Sequence, residues 1–327
     1  MKVVLPGGSG QVGTILARAL KGEGHEVVVV SRHPRPAPWR TVGWDARTPG
    51  PWMQELDGAH AVVNLAGRSV ECRYTAANRA EIMESRVGST RLIGRAIAES
   101  AHPPRVWLQA GTATIYAHRF DAPNDEATGI LGGDEPGAPD AWRFSIEVAK
   151  SWETAVEEAV VPRTRKVIMR SAMTMSPDRH GVFDVLLGLV RRGLGGTSGD
   201  GRQYVSWVHE QDFVAAVKWI VSHDDLAGPV NIAAPAPLPN AEFMRTLRAA
   251  WGARIGIPAP AWLLEPAAFV LRTESELLLK SRRVISGKLA AQGFRFRFAE
   301  WRAAAEDLCA QWRRQRAARS SSTARSS

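Results

Sequence analysis

Cysteine is nearly absent: the 327 residues hold two, Cys72 and Cys309, with no CxxC spacing. That excludes a disulfide framework and gives no indication of a zinc site, so no metal is expected. Long apolar runs are missing too, none approaching the roughly 18–20 residues of a membrane span. The opening MKVVLPGGSG lacks the apolar core and small-residue cleavage site of a secretory signal. The expectation is a cytoplasmic protein with no membrane partner.

Balanced charge is also lacking, since the formal net charge is +9. Residues 313–327, RRQRAARSSSTARSS, carry five arginines and no acid, which leaves +4 (9 − 5) for the rest. A tail this polar cannot bury a core, and it reads as a disordered Arg/Ser extension. Aromatic and basic residues do not alternate in any stripe, so nucleic acid is not the expected partner. A nucleic-acid binder would instead use this tail, with an affinity that falls steeply with salt.

What the chain does have is an opening βαβ pattern. Lys2 to Leu5 is apolar, Gly7, Gly8, Ser9, Gly10 and Gly13 follow, a helical pattern runs through Leu20, and Val27–Val30 is apolar again. Gly8, Gly10 and Gly13 fit GxGxxG, while Gly7, Gly10 and Gly13 fit GxxGxxG. In this setting glycines let the backbone turn tightly and approach a pyrophosphate. The helix N-terminus formed by Gln11 and Val12 then offers N–H groups to it. The second strand ends in Ser31 and Arg32, with Arg35 beyond, where an NAD site wants a carboxylate. Arginine repels no 2′-phosphate and bonds it by about 1.5–3 kcal/mol, a roughly ten- to hundredfold preference for NADP. The alternative is that Arg32 merely faces solvent. Asp45, after a third short strand, could accept from an adenine amino group. AVVNLAG, ending in Leu65, Ala66 and Gly67, is a strand with a small-residue exit against which a ribose can lie. VWLQAGTATIYA, with Thr112 and Tyr116, and RKVIMRSAM supply further strands. Strands alternate with helices, so the expected fold class is α/β: a Rossmann-type, doubly wound parallel sheet. Residues 118–141, rich in Gly, Pro and Asp, read as a long loop acting as a lid. Residues 238–312 show helical patterns. KLAAQGFRFRF reads as helix, turn, strand.

In order, PGGSGQVG, NLAG, ESRVGSTRLI, FSIEVAKSWE, GDGRQYVSWVHEQDF, GPVNIAAP and TESELLLKSRRV through GFRFRF make a long series. Together they resemble the atypical, extended short-chain dehydrogenases/reductases, specifically epimerase-like proteins with their own C-terminal domain. The resemblance implies a smaller, mostly helical substrate domain over 236–312, after a Rossmann domain over 1–235 whose residues 173–208 partly contribute to it. It also implies NADP(H), a small-molecule substrate, and an oxidoreductase or epimerase acting as a monomer or homodimer. The alternative is a cofactor-sensing regulatory or cell-division protein without turnover. It places Thr112 as the catalytic Ser/Thr and Lys150 as the lysine that bonds the nicotinamide ribose. The alternative is that Thr112 is a strand-end hydroxyl satisfied by backbone. Arg86 falls beside the cofactor, unless it pairs with Glu81 or Glu84 on its own helix. Two positions depart from the pattern. Ile146 stands where the general-acid tyrosine belongs, a loss that typically costs 10²–10⁴-fold. Val205 stands where sugar-nucleotide epimerases place a diphosphate-binding arginine. Glu147, Tyr116 and His209 are the groups considered as substitutes for the tyrosine.

Overall fold

The structure is a computed structural model and describes residues 1–260 and 279–323. Apolar residues run without interruption through β1 (Lys2–Pro6) and β2 (Glu26–Ser31), and successive side chains point to opposite faces. Val3, Leu5, Val27 and Val29 therefore face one core, and Val4, Val28 and Val30 face another. A strand buried on both sides belongs in a parallel sheet covered by helices. β3 (Arg40–Gly43), β4 (Ala61–Asn64), β5 (Val106–Thr112) and β6 (Arg165–Ser171) follow. The short strands are β7 (Met173–Met175), β8 (Tyr204–Val205) and β9 (Trp207–His209), and β10 (Gly228–Ile232) completes the main sheet.

That sheet has seven strands in the order β10-β6-β5-β4-β1-β2-β3, all pairs parallel. Helices α1 (Gln11–Gly22) and α5 (Glu210–Ser222) cover one face. Helices α2 (Ala76–Glu99) and α3 (Asp140–Glu157) cover the other. The doubly wound class expected from the sequence is what the chain adopts. The chain leaves β1 toward β2 and later returns to β4 on its other side, which opens a crevice at the strands' carboxyl ends.

A second core is assembled from residues far apart in sequence. Phe183 and Leu187 of α4 (Val182–Arg191) meet Trp207, then Phe243 and Leu247 of α6 (Asn240–Trp251). Trp301, Leu308 and Trp312 of the C-terminal helix Trp301–Thr323 close it.

Three expectations change. Residues 313–323, read as disordered, continue the C-terminal helix. Their Arg, Gln and Ala are good helix formers, and Arg313 caps the Trp251 ring at 4.2 Å while donating to its carbonyl. FRFRF is not a strand. Phe294 enters the first core and Phe298 the second, and the Arg297 and Phe298 N–H groups bond the Asp212 carboxylate at 2.7 and 2.9 Å. Residues 118–139 are strapped down rather than hung as a free lid. Asn124 trades backbone bonds with Arg283 and Ile285, and Glu126 accepts from Asn231, Gly287 and Lys288. The helical pattern expected over 261–278 lies outside the described residues.

One buried network fixes the carboxyl ends of β5 and β6 to α3. Arg170 forks onto Glu153 at 2.8 and 2.7 Å and donates to the Tyr116 hydroxyl at 2.9 Å. Tyr116 donates in turn to Asn231 Oδ1 at 2.9 Å. Breaking a buried pair leaves an uncompensated charge, so Glu153→Gln should lower the unfolding free energy by about 3–5 kcal/mol in urea denaturation. A loss under about 1 kcal/mol would contradict this reading.

A candidate dinucleotide site

The glycine turn is fixed by close approach. Gly7 has φ +72°, and a Cβ there would lie 2.5 Å from the Ala66 nitrogen. A Cβ on Gly13 would lie 2.4 Å from Gly8 Cα. Gly10 differs, because its Cβ would meet only the Gly7 oxygen at 3.8 Å. Gly10 also begins α1 with no side-chain cap, and no acid stands in the first turn. The first N–H groups of α1, from Gln11 onward, thus face a space that an anion can fill. Gln11 packs its amide onto Gly181, and its buried Nε2 has no hydrogen-bond partner.

Along the β2 edge, Ser31 Oγ donates to Ser9 Oγ at 2.9 Å and accepts from the His33 nitrogen. Arg32 is exposed and has no ion-pair or hydrogen-bond partner among the described residues. Asp45 is tied up more locally than expected. It accepts from Thr48 Oγ1 at 2.6 Å and from the Thr48 and Arg47 nitrogens at 2.8 Å each. These bonds, that of the Thr48 hydroxyl foremost, hold its carboxyl down at about 2. Asp45 remains an ionised acceptor, but most of its capacity stays inside the 45–48 turn.

At the exit of β4, Asn64 bonds Gln109 and accepts from the Ala66 nitrogen, shaping the Leu65–Ala66–Gly67 corner. Arg86 lies against that corner, its guanidinium carbon 3.4 Å from where a Gly67 Cβ would be. The alternative of an ion pair along its own helix is not realised. Glu81 pairs with Arg68 at 2.6 Å, and among the described residues the Arg86 guanidinium holds only the Ile82 carbonyl at 3.2 Å and the Trp152 ring. Burial without a carboxylate pulls this guanidinium down to about 10. A half-buried cation without a carboxylate is a point of attraction for a polar or anionic ligand.

At the far end, Thr112 Oγ1 accepts from the Thr114 nitrogen at 3.1 Å, which leaves its hydroxyl hydrogen to donate. Lys150, one turn beyond Ile146 on α3, has no hydrogen bond or ion pair among the described residues. Its Nζ lies 3.5 Å from the position a Cβ on Gly133 would take. Ile146 is 1% exposed and packs under Gly132 and Gly133. This glycine pair was missed, although GG inside a long loop is the signal that marks it.

The groups considered as substitutes for the tyrosine are placed elsewhere. Tyr116 is held in the Arg170 network, and burial pushes its phenol upward. His209 accepts from the Gln211 nitrogen through Nδ1, so its proton sits on Nε2, shared with Asp307. Burial against Phe298 pulls it down to about 4, the state of a structural cap rather than a proton donor. Glu147 is exposed, and Val205 is buried in the second core.

Strand order lays these parts out in a row: Asp45, Arg32, the glycine turn, the Leu65–Gly67 corner, then Thr112 with Lys150 behind it. Three strand spacings separate β2 from β5, about 15 Å, a length suited to an extended dinucleotide. The fold and this row of groups define a protein with a dinucleotide site at the sheet's switch point. Residues 3–233 match the NAD dependent epimerase/dehydratase family, and residues 259–308 match a domain of unknown function, DUF1731. The chain belongs to that epimerase/dehydratase family, an NAD(P)(H)-binding one. It is 31% identical to the Homo sapiens epimerase family protein SDR39U1 over 315 residues, covering 95% of this chain and 100% of that protein. It is 28% identical to the Bacillus subtilis epimerase family protein YfhF, covering 95% and 98%. The crystal structure of human SDR39U1 (isoform 2) with NADPH superposes with a TM-score of 0.82, covering 94% of this chain and 99% of that one.

The glycine geometry separates two substitutions. Gly10→Ala should leave the melting temperature of the cofactor-free protein within a degree or two and weaken dinucleotide binding tenfold or more. Gly13→Ala should lower both, because its Cβ meets backbone. Fluorescence titration and thermal melts of the two variants check this. Equal effects would contradict it.

Proposed function

We propose that the chain binds NADP(H) in preference to NAD(H) and is an oxidoreductase or epimerase acting on a small molecule. The observation that carries this reading is the end of β2, where Ser31 and an unpartnered Arg32 stand in place of a carboxylate. A guanidinium free of acids adds charge-assisted bonds to a 2′-phosphate and repels nothing. The NADPH in the crystal structure of human SDR39U1 supports the choice. Gln11 Nε2 and the first turn of α1 would hold the pyrophosphate, Arg86 and Lys150 would hold the nicotinamide half, and Thr112 would orient the substrate. When bound, the nicotinamide supplies or accepts hydride. The chain's own residues bind, orient and exclude water.

Ile146 favours a second reading. With an apolar wall where the proton donor would stand, the chain would bind NADPH as a sensor and turn nothing over. Val205, buried where a diphosphate-binding arginine would stand, argues in both readings against a UDP-sugar substrate.

Parallel titrations of the wild type, Arg32→Ala and Lys150→Met with NADPH and NADH test the proposal. The wild type should favour NADPH by about ten- to a hundredfold. Arg32→Ala should remove most of that preference. Lys150→Met should weaken both cofactors by about 1.5–3 kcal/mol without moving the apo melting temperature. Equal wild-type affinities would overturn the cofactor assignment, and unchanged binding in Lys150→Met would make that lysine a surface residue.

A further inference from the structure

The basic and aromatic residues that show no stripe along the chain meet in three dimensions, away from the dinucleotide site. Arg191, at the end of α4, lies over the Trp312 ring at 4.6 Å and near the Trp251 ring at 5.8 Å. Arg313 covers Trp251 at 4.2 Å, and Arg316 covers Trp312 at 4.3 Å. The rings hold these cations in place, since cation–π contact needs no acid. Arg191, Arg192, Arg254 and Arg313 are exposed and form no ion pair among the described residues. Asp184 reaches this cluster, accepting from Trp312 Nε1 and the His180 nitrogen, but its single negative charge is outnumbered by the arginines. The surface therefore carries uncompensated positive charge.

Exposed aliphatic side chains adjoin it. Leu194, Ile255 and Ile257 are 49%, 68% and 56% exposed. Backbone bonds of Gly193 and Gly196 with Ile257 bind the segment carrying Ile255 and Ile257 to the end of α4. A single exposed aliphatic needs no account, but three beside several unpaired arginines form an amphipathic surface.

From this juxtaposition we infer that the face formed by the end of α4, residues 252–257 and the C-terminal helix docks on the surface of an anionic lipid bilayer. Two properties decide against nucleic acid. Trp312 is 6% exposed and both rings are already covered by arginine, so neither offers a stacking platform. The protruding aliphatics have no use on a phosphate backbone, whereas at a bilayer they enter the acyl boundary. No described helix is long and apolar enough to cross a membrane, so the association is peripheral. Each arginine near an anionic leaflet strengthens partitioning about fivefold.

The test is co-sedimentation of the full chain with phosphatidylcholine vesicles, with and without phosphatidylserine. Binding should require phosphatidylserine and fall more than tenfold as salt rises several-fold above about 0.1 M. Arg192→Glu/Arg254→Glu changes two residues that touch no ring, and it should lose about 25-fold or more. Ile255→Ser/Ile257→Ser should also lose binding, although its charge is unchanged. Thermal melts confirm that both variants are folded. Failure of the wild type to sediment would overturn the proposal, as would undiminished binding by the charge variant. A serine variant that binds vesicles as the wild type does, while the wild type captures a single-stranded oligonucleotide, would also overturn it, in favour of nucleic acid.

Discussion

The contact on which the site depends is backbone against backbone: the glycine turn after β1 pressed onto the Leu65–Ala66 corner after β4. A side chain at Gly7 would stand 2.5 Å from that corner. This approach brings the start of α1 to the crevice where the strand order reverses, with its first N–H groups unshared. A dipole end and uncapped amides are already an anion site before any side chain is considered. The turn is therefore a steric requirement first and a binding device as a consequence.

Around that turn the cations lack counterions. Several other arginines are paired. Arg170 is forked onto Glu153, Arg18 bridges to Asp178, and Arg68 meets Glu81. Arg32, Arg86 and Lys150 have no carboxylate partner among the described residues, and Arg86 is half-buried in that condition. Desolvating a guanidinium without a partner costs stability. Ile146 belongs to the same arrangement. The Gly132–Gly133 backbone packs directly on its side chain, with Lys150 Nζ close by.

Most of the sheet was legible because its strands are short, continuous apolar runs set between turns and helical patterns. The strand ends and small-residue exits that carry the candidate residues follow from the same runs. Errors arose where long-range contacts decide local form. The 313–323 segment is too polar to signal a core, yet its arginines find tryptophans contributed by positions 251 and 312. FRFRF has a strand's alternation, but Asp212 takes its amides and two separate cores take its rings. Asp45 was placed on the right edge, while the Asx turn that engages it depends on Thr48 three residues later. Nothing in local sequence shows that Glu81 turns to Arg68 and leaves Arg86 alone.

The most direct measurement is a crystal structure of this chain grown with NADPH. The account predicts the 2′-phosphate within hydrogen-bond distance of the Arg32 guanidinium. It also predicts the pyrophosphate over Gly10 and Gln11, and both Arg86 and Lys150 on the nicotinamide half. A 2′-phosphate facing solvent, with Arg86 turned away from the cofactor, would contradict it.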